Sequence, residues 1–272
     1  MSTVLAVGVR ATFGSGLCQW IARLLDDMES LLGRLREPQR VRRGLAAVGR
    51  RLAAVHPYIE PQLRPGVPKS DVIPFLPPDP VIVEAGAHVG LDTMEMARLW
   101  SRGQIHAFEP IPHIYQQLEA QTTKLRNVRT YQTALGAETA TADMWLSSGG
   151  TASSSLLDPK THLEAFPAIE FRDKIKVDVT TLDDWSQSAH VARVDFLWLD
   201  MQGCELAALQ HAKRILPTVS AIALEVFLEE LYADAPLWPE VQAWIQGQGF
   251  VILRQILGRT YGDALAVRET LL

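Results

Sequence analysis

Two cysteines in 272 residues, Cys18 and Cys204, leave no material for a disulfide framework or a thiolate zinc site. No H-x-x-x-H or similar metal-ligand spacing occurs either. Apolar runs are short. None reaches the roughly 18 residues of a membrane-spanning helix, and the first residues lack the basic start of a secretion signal. Excess positive charge is also missing: 26 lysines and arginines stand against 31 acids, a net charge of −5, so no nucleic-acid partner is expected. What remains is an ordinary globular composition, 47% hydrophobic and 21% charged, and a cytoplasmic location is the expectation. The length allows one large domain, or one of about 200 residues with an appendage.

Charge is unevenly spread. Seven arginines (34, 36, 40, 42, 43, 50 and 51) face one acid, Glu37. Leu31, Leu32, Leu35, Val41, Leu45, Val48 and Leu52 recur there at roughly helical spacing. Two readings stay open: a basic helix for an anionic membrane surface or polyanion, and a helical lid with arginines on its wet face. Pro57, Pro61, Pro65, Pro68, Pro74, Pro77, Pro78 and Pro80 follow. Proline lacks an amide donor and fixes φ, so this density reads as a linker. The expected division is a helical N-terminal segment at 1–56, a proline-rich linker at 57–77 and a main domain at 78–272.

Within 78–272 strand and helix patterns alternate. Strands are expected at 81–84, 104–108, 128–132, 194–199 and 221–226, and helices at 91–100, through Tyr115, Leu118 and Leu125, at 205–216 and at 239–248. A final strand pair is expected at 250–254 and 264–268. Such alternation implies an α/β fold, a mainly parallel sheet covered on both faces with an antiparallel last strand. An inserted hairpin, at 143–147 and 174–179, interrupts the alternation. Beside it the serine-rich stretch 147–155 reads as a flexible loop able to close over a ligand.

The informative segment is Val81-Ile-Val-Glu-Ala-Gly-Ala-His-Val-Gly90-Leu-Asp-Thr93. A buried strand delivers Glu84 to its end, and Gly86 and Gly90 bracket a tight turn into a helix whose first amides face a ligand. The glycines are expected because a Cβ would block close approach of that ligand. Glu109 ends the second strand 19 residues past Gly90, where an acid accepts hydrogen bonds from both hydroxyls of a ribose. A nicotinamide site usually presents G-x-G-x-x-G, whereas E-x-G-x-x-x-G stands here. The pattern favours S-adenosyl-L-methionine. An NAD(P)-dependent oxidoreductase and a catalytically silent cofactor-binding scaffold remain as alternatives.

These pieces resemble the FkbM family of methyltransferases over roughly 81–268. The matching segments are VEAGAHVGLDT (83–93), AFEPIP (107–112), NVRTYQTALG (127–136), VDVTTLDDW (177–185), DFLWLDMQGCELAAL (195–209) and IALEVF (222–227). The resemblance implies a Rossmann-like class I fold, S-adenosyl-L-methionine as cofactor, and O-methylation of a saccharide, glycolipid or natural-product acceptor. It makes 78–272 the catalytic domain. It places Glu84, Gly86, His88, Gly90, Thr93, Glu109 and Pro110 around the cofactor, with Ala134, Leu135 and Gly136 beside the adenine. Three positions depart from the family pattern: Glu84 where aspartate is common, His88 where asparagine is frequent, and Gln202 in the usual D-x-E-G position. Trp198 falls where the family often has lysine, and either packs or stacks on a substrate.

Ligands of open α/β sheets bind beyond the carboxyl ends of the strands. Asp200 and Glu225 end what should be neighbouring strands, about 4.8 Å apart. Such a pair can raise one pKa to make a general base, or hold a divalent cation. Asp200 is the first candidate base, with Glu225 orienting it or sharing a metal. His106 reads as packing, and His113 and His211 as solvated.

Overall fold

The computed structural model describes residues 66–148 and 151–272. The arginine-rich segment and the expected N-terminal helix lie outside the described residues. The compact unit runs Arg64–Leu272.

Short apolar runs become strands where polar turns bound them, and amphipathic stretches become the helices between. In chain order come β1 (Val81–Ala85), α1 (Leu91–Leu99), β2 (Gln104–Phe108), α2 (Pro112–Thr122) and β3 (Val128–Tyr131). The insertion follows: β4 (Ala134–Leu135), β5 (Ala140–Ser147), α3 (His162–Ala165), β6 (Phe171–Thr180) and α4 (Leu182–Ser188). The chain then returns through β7 (Phe196–Leu199), α5 (Glu205–Gln210), β8 (Ala221–Phe227), α6 (Trp238–Gly247), β9 (Phe250–Leu257) and β10 (Tyr261–Arg268).

The large sheet has the order β3-β2-β1-β7-β8-β10-β9. Its first five strands are parallel, and β10 runs antiparallel to both β8 and β9. The chain builds outward from β1 to β3, then crosses back to lay β7 on the other side of β1. That reversal opens a crevice at the carboxyl ends of β1 and β7, where α/β sheets take ligands.

Alternation along the strands separates two cores. Ile82, Phe196, Ala223 and Leu265 point to one face, against Met96 and Trp100 of α1 and its neighbourhood. Val83, Leu197, Ile222 and Leu224 point to the other, against Leu206, Leu209, Val241 and Ile245. Glu84, Asp200 and Glu225 share the side-chain parity of the first set, so the carboxylates continue that face to the sheet's edge. No helix among the described residues is long and apolar enough to cross a membrane.

Several boundaries differ from the sequence pattern, each for a local reason. Residues 66–77, expected as linker, pack on the unit: Lys69–Phe75 forms a 3-10 turn with Pro74 inside it, and Val67, Lys69 and Val72 are buried. A 3-10 turn tolerates proline where a longer α-helix would lose its hydrogen bonds. Helix α2 stops at Thr122, whose hydroxyl turns back on the Leu118 carbonyl, so Leu125 lies beyond it. Helix α5 stops at Gln210 rather than 216, because the Asp183 carboxylate takes the amides of Arg214 and Ile215. Helix α4 was not anticipated, although Thr181 caps it by accepting the Asp184 amide, a readable signal. The inserted hairpin is found and gains a third strand, since β4 pairs in parallel with β6.

Candidate active site

The glycine turn leaves β1 with Gly86 at φ +82, His88 at +48 and Gly90 at +86. A Cβ on Gly86 would lie 1.8 Å from the Asp200 carbonyl oxygen, and one on Gly90 would lie 2.7 Å from Leu118 Cδ1. The unusual φ expected of the turn is present at both glycines, and at Gly86 the Asp200 backbone also leaves no room for a Cβ. The Phe108 carbonyl accepts the amides of Gly86 and Ala87, fastening the turn to the end of β2. Glu109 points into the turn. Its Oε2 accepts the His88 amide at 3.0 Å and its Oε1 the Ile111 amide at 2.8 Å. Burial pushes its carboxyl up to about 7, against the pull of those two amides. Glu84, buried beneath the turn, accepts the Thr93 hydroxyl at 2.5 Å, and burial followed by the charge of Asp92 pushes it up to about 8.

The structure thus brings together Glu84, Gly86, His88, Gly90, Thr93, Glu109 and Pro110. Each Glu109 oxygen accepts one amide and keeps a lone pair, which fits a ligand with paired hydroxyls, and the buried acids fit a ligand carrying positive charge. Ala134 and Leu135 are both buried, and Leu135 belongs to the main core, so what that segment offers a ligand is backbone.

Asp200 follows β7, its amide bonded to the Ala85 carbonyl at 2.9 Å beside the glycine turn. The residue is exposed at the end of its strand, with protein packed around it. Loss of surrounding water, then the charges of Asp263 and Asp92, push it up to about 7, while a Gln202 hydrogen bond holds it down. The convergence expected of Asp200 and Glu225 is present, but its centre is filled. Gln202 Nε2 lies 2.7 Å from Asp200 Oδ1 and 2.7 Å from Glu225 Oε2. A cation shared by the two carboxylates would need that position, and among the described residues no group of three His, Cys, Asp or Glu side chains is placed to hold a metal. Asp263 stands opposite Glu225 on β10.

Sequence reasoning missed four side chains of this edge: Tyr232, Asp263, Lys69 and the linking part of Gln202. Asp263 was legible only to a reader who knew that β10 enters the sheet beside β8. Lys69 reaches across from the 3-10 turn, 7% exposed, to pair with Asp92 at 2.5 Å and Glu95 at 2.9 Å. Burial alone would lower its pKa, but the two carboxylates outweigh this and raise it. Its ammonium sits 4.2 Å over the Trp198 ring, so Trp198 packs rather than offering its face to a substrate. The serine-rich loop is pinned where it is described. Ser154 and Ser155 are buried, Ser147 and Ser154 bond each other, and Ser155 Oγ donates to the Gln202 carbonyl. Those hydroxyls are committed to the protein.

The other polar groups stand apart from the edge. His106 is fully buried against Trp185, and its pKa is lowered to about 4 by burial and then Arg129. His162, unmarked in the sequence, is likewise lowered to about 4 by burial among Phe166, Phe171 and Tyr232. Cys204 is buried and its thiol pushed up to about 12, which suits packing rather than nucleophilic work.

One pH effect follows. Glu84 near 8 and Glu109, Asp200 and Glu205 near 7 all stand above the ordinary carboxylate range. In the window between that range and about 8, the folded chain holds more protons than the unfolded one. Stability is then fully present at low pH and is lost as pH rises through the folded pKa values. His106 and His162, lowered to about 4, pull the other way below about 6.5, so the melting temperature of cofactor-free protein should fall from pH 6.5 to pH 8, less steeply in Glu84→Gln. Equal slopes in the two proteins would show that Glu84 ionises normally.

Comparison with known proteins adds to this geometry. The methyltransferase FkbM domain profile matches residues 84–252. The 2-O-methyltransferase NoeI of Sinorhizobium fredii is 30% identical over 161 residues, covering 57% of this chain and 66% of that protein, just under two thirds of its length. Methyltransferase sdnD of Sordaria araneosa is 26% identical over 203 residues, 66% of this chain and 76% of that one. The crystal structure of methyltransferase FkbM from Methylobacillus flagellatus KT matches with a TM-score of 0.51 at 17% identity, covering 91% of this chain and 59% of that chain. This last likeness speaks for the fold, a class I Rossmann-like one. None of these comparisons supports a nicotinamide-dependent oxidoreductase. With the family profile spanning more than half its length, the chain belongs to the FkbM methyltransferase family.

Proposed function

We propose that this methyltransferase O-methylates a hydroxyl of a saccharide, glycolipid or natural-product acceptor, with Asp200 as the general base. The observation that carries the reading is the place of Asp200. Its backbone touches the glycine turn at Ala85 and Gly86, and its carboxylate is held on the acceptor side by Gln202 beside Glu225. The name of the Sinorhizobium relative, a 2-O-methyltransferase, supports a hydroxyl acceptor.

Bound S-adenosylmethionine supplies a methyl group on a sulfonium, released as the S–CH₃ bond breaks and its electron pair stays on sulfur. The chain's own residues do the rest. Glu109 takes the ribose hydroxyls on its remaining lone pairs. Glu84 and the first amides of α1 take the amino acid end, and the Ala134–Leu135 backbone borders the adenine. His88, Thr93 and Pro110 complete the walls. Asp200 receives the acceptor's hydroxyl proton as the O–CH₃ bond forms in line, with Glu225 fixing its orientation. No step is assigned to a divalent cation. A cytoplasmic setting is part of the same reading, in keeping with the sparse cysteine usage.

The test is transfer of isotopically labelled methyl groups to saccharide and glycolipid extracts, with and without chelator. Labelled methyl ether unaffected by chelator is expected. Tight binding of S-adenosylhomocysteine with no transfer to any hydroxyl acceptor would favour the silent scaffold instead. In the same protein, Glu109→Ala should weaken cofactor binding by about 1–3 kcal/mol through lost charge-assisted hydrogen bonds, read by calorimetry with S-adenosylhomocysteine. An unchanged affinity would remove Glu109 from the cofactor's ribose.

A further inference from the structure

Gln202 enters the reaction so far only as the partner that holds the Asp200 carboxylate, and its side chain ends between the two carboxylates. Nε2 carries two protons and meets two acceptors, Asp200 Oδ1 and Glu225 Oε2, each at 2.7 Å. Oε1 accepts the Tyr232 hydroxyl at 2.9 Å, and that hydroxyl also lies 2.8 Å from the Ser153 carbonyl oxygen. The hydroxyl has one proton for two acceptors, so it is the pair of carboxylates that fixes which way the amide faces. Turned over, it would set a carbonyl oxygen against two carboxylate oxygens, which only protonated carboxyls tolerate. The backbone holds the residue there at a cost: Gln202 stands at φ +54, left-handed for a residue with a Cβ. Glu205 secures the turn by accepting the amides of Met201 at 2.6 Å and Gly203 at 3.0 Å.

We propose that Gln202 is a positioning residue whose amide clamps Asp200 and Glu225 in one orientation and fills the point a shared proton or cation would otherwise take. The inference rests, for its meaning in the reaction, on Asp200 being the base. A shared proton would occupy the base before the acceptor arrived. With Oδ1 given to Gln202, Oδ2 is kept for the acceptor's proton. The groups around Asp200 make the clamp necessary. Glu109 from the end of β2, Asp92 from α1, Glu205 from α5 and Asp263 from β10 act on it electrostatically, with Glu225 across the amide. Tyr232 is neutral, and Lys69, among the described residues, is directed at Asp92 and Glu95. Gln202 is the neutral donor in an acidic ring, and a hydrogen bond to the charged form is what keeps such a carboxylate ionised.

The test uses the full chain with carbon-13 in its aspartate and glutamate carboxyls. The Asp200 resonance is assigned by its loss in Asp200→Asn, and Mn²⁺ serves as cation probe in calorimetry. Gln202→Met should raise the Asp200 titration midpoint by about one pH unit, about tenfold in proton affinity. Tyr232→Phe keeps the ring and removes the hydroxyl packed against Gln202 Oε1, which loosens the amide, so it should give a smaller rise of the same sign and serves if Gln202→Met fails to fold. Gln202→Glu adds a third carboxylate where the amide was, and should bind Mn²⁺ at least about tenfold more tightly than the unaltered chain. An unmoved Asp200 midpoint in the first two variants, or equal Mn²⁺ affinity in the third, overturns the clamp. Full turnover in Asp200→Asn with the titration shifts as expected would sink the base and leave the clamp standing.

Discussion

Asp200→Asn lowers turnover by about 10²–10⁴-fold at saturating cofactor and acceptor, the usual contribution of a positioned base. Affinity for S-adenosylhomocysteine should stay within about twofold if, as proposed, Asp200 serves the acceptor and not the cofactor. Asparagine keeps the shape of the side chain. Its carbonyl can still accept the Gln202 amide in place of Asp200 Oδ1, so the turn after β7 is preserved. What disappears is the oxygen that takes the proton. The pH dependence carries a second signature. With Asp200 pushed up to about 7, the unaltered enzyme should lose turnover as pH falls below that value, and the residual activity of the variant should not follow the same limb. Initial rates with labelled methyl donor across pH 5.5–9 read both. Wild-type turnover in Asp200→Asn would take the residue out of proton transfer.

Gly86→Ala unfolds or severely destabilises the protein, by about 4 kcal/mol, since two costs fall on one atom. The φ of +82 alone costs an alanine about 1–2 kcal/mol. The added Cβ also meets the Asp200 carbonyl oxygen at 1.8 Å, backbone against backbone, with no flexible side chain to yield. For a domain of this size that corresponds to a fall in melting temperature of roughly 10 °C. Gly247→Ala is the control: no heavy atom lies within 4 Å of its Cβ position, and its melting temperature should hold or rise. A Gly86→Ala protein melting with the control would mean that β1 and β7 do not approach as closely as the structure shows.

The parts legible in the sequence were those with a short-range signature. β2 was bounded correctly by its apolar run at 104–108, and the glycine turn and Glu109 were readable from spacing, because strand, turn and acid lie close along the chain. Asp200 and Glu225 could be paired because parallel neighbours align their ends. The parts that stayed hidden depend on long-range packing. Nothing near Lys69 says that it will cross to α1, 23 residues on, and cover Trp198. Proline density suggested a linker wrapping into the domain, and Val67 and Val72 are the apolar anchors of its described part. Gln202 stood out only as a departure from a pattern. Its meaning came from Glu225, 23 residues later, which with Asp200 decides how the amide faces.

The order of strands sets when this enzyme can be finished. β10 lies between β8 and β9 although it follows both in the chain, and β9 touches the sheet only through β10. On the ribosome the domain can therefore assemble from β1 through β8 and must then wait. Until β10 emerges, β8 is a bare rim and Glu225 lacks its opposite, Asp263. A nascent chain should thus close its glycine turn early and complete the acidic rim beside Glu225 last.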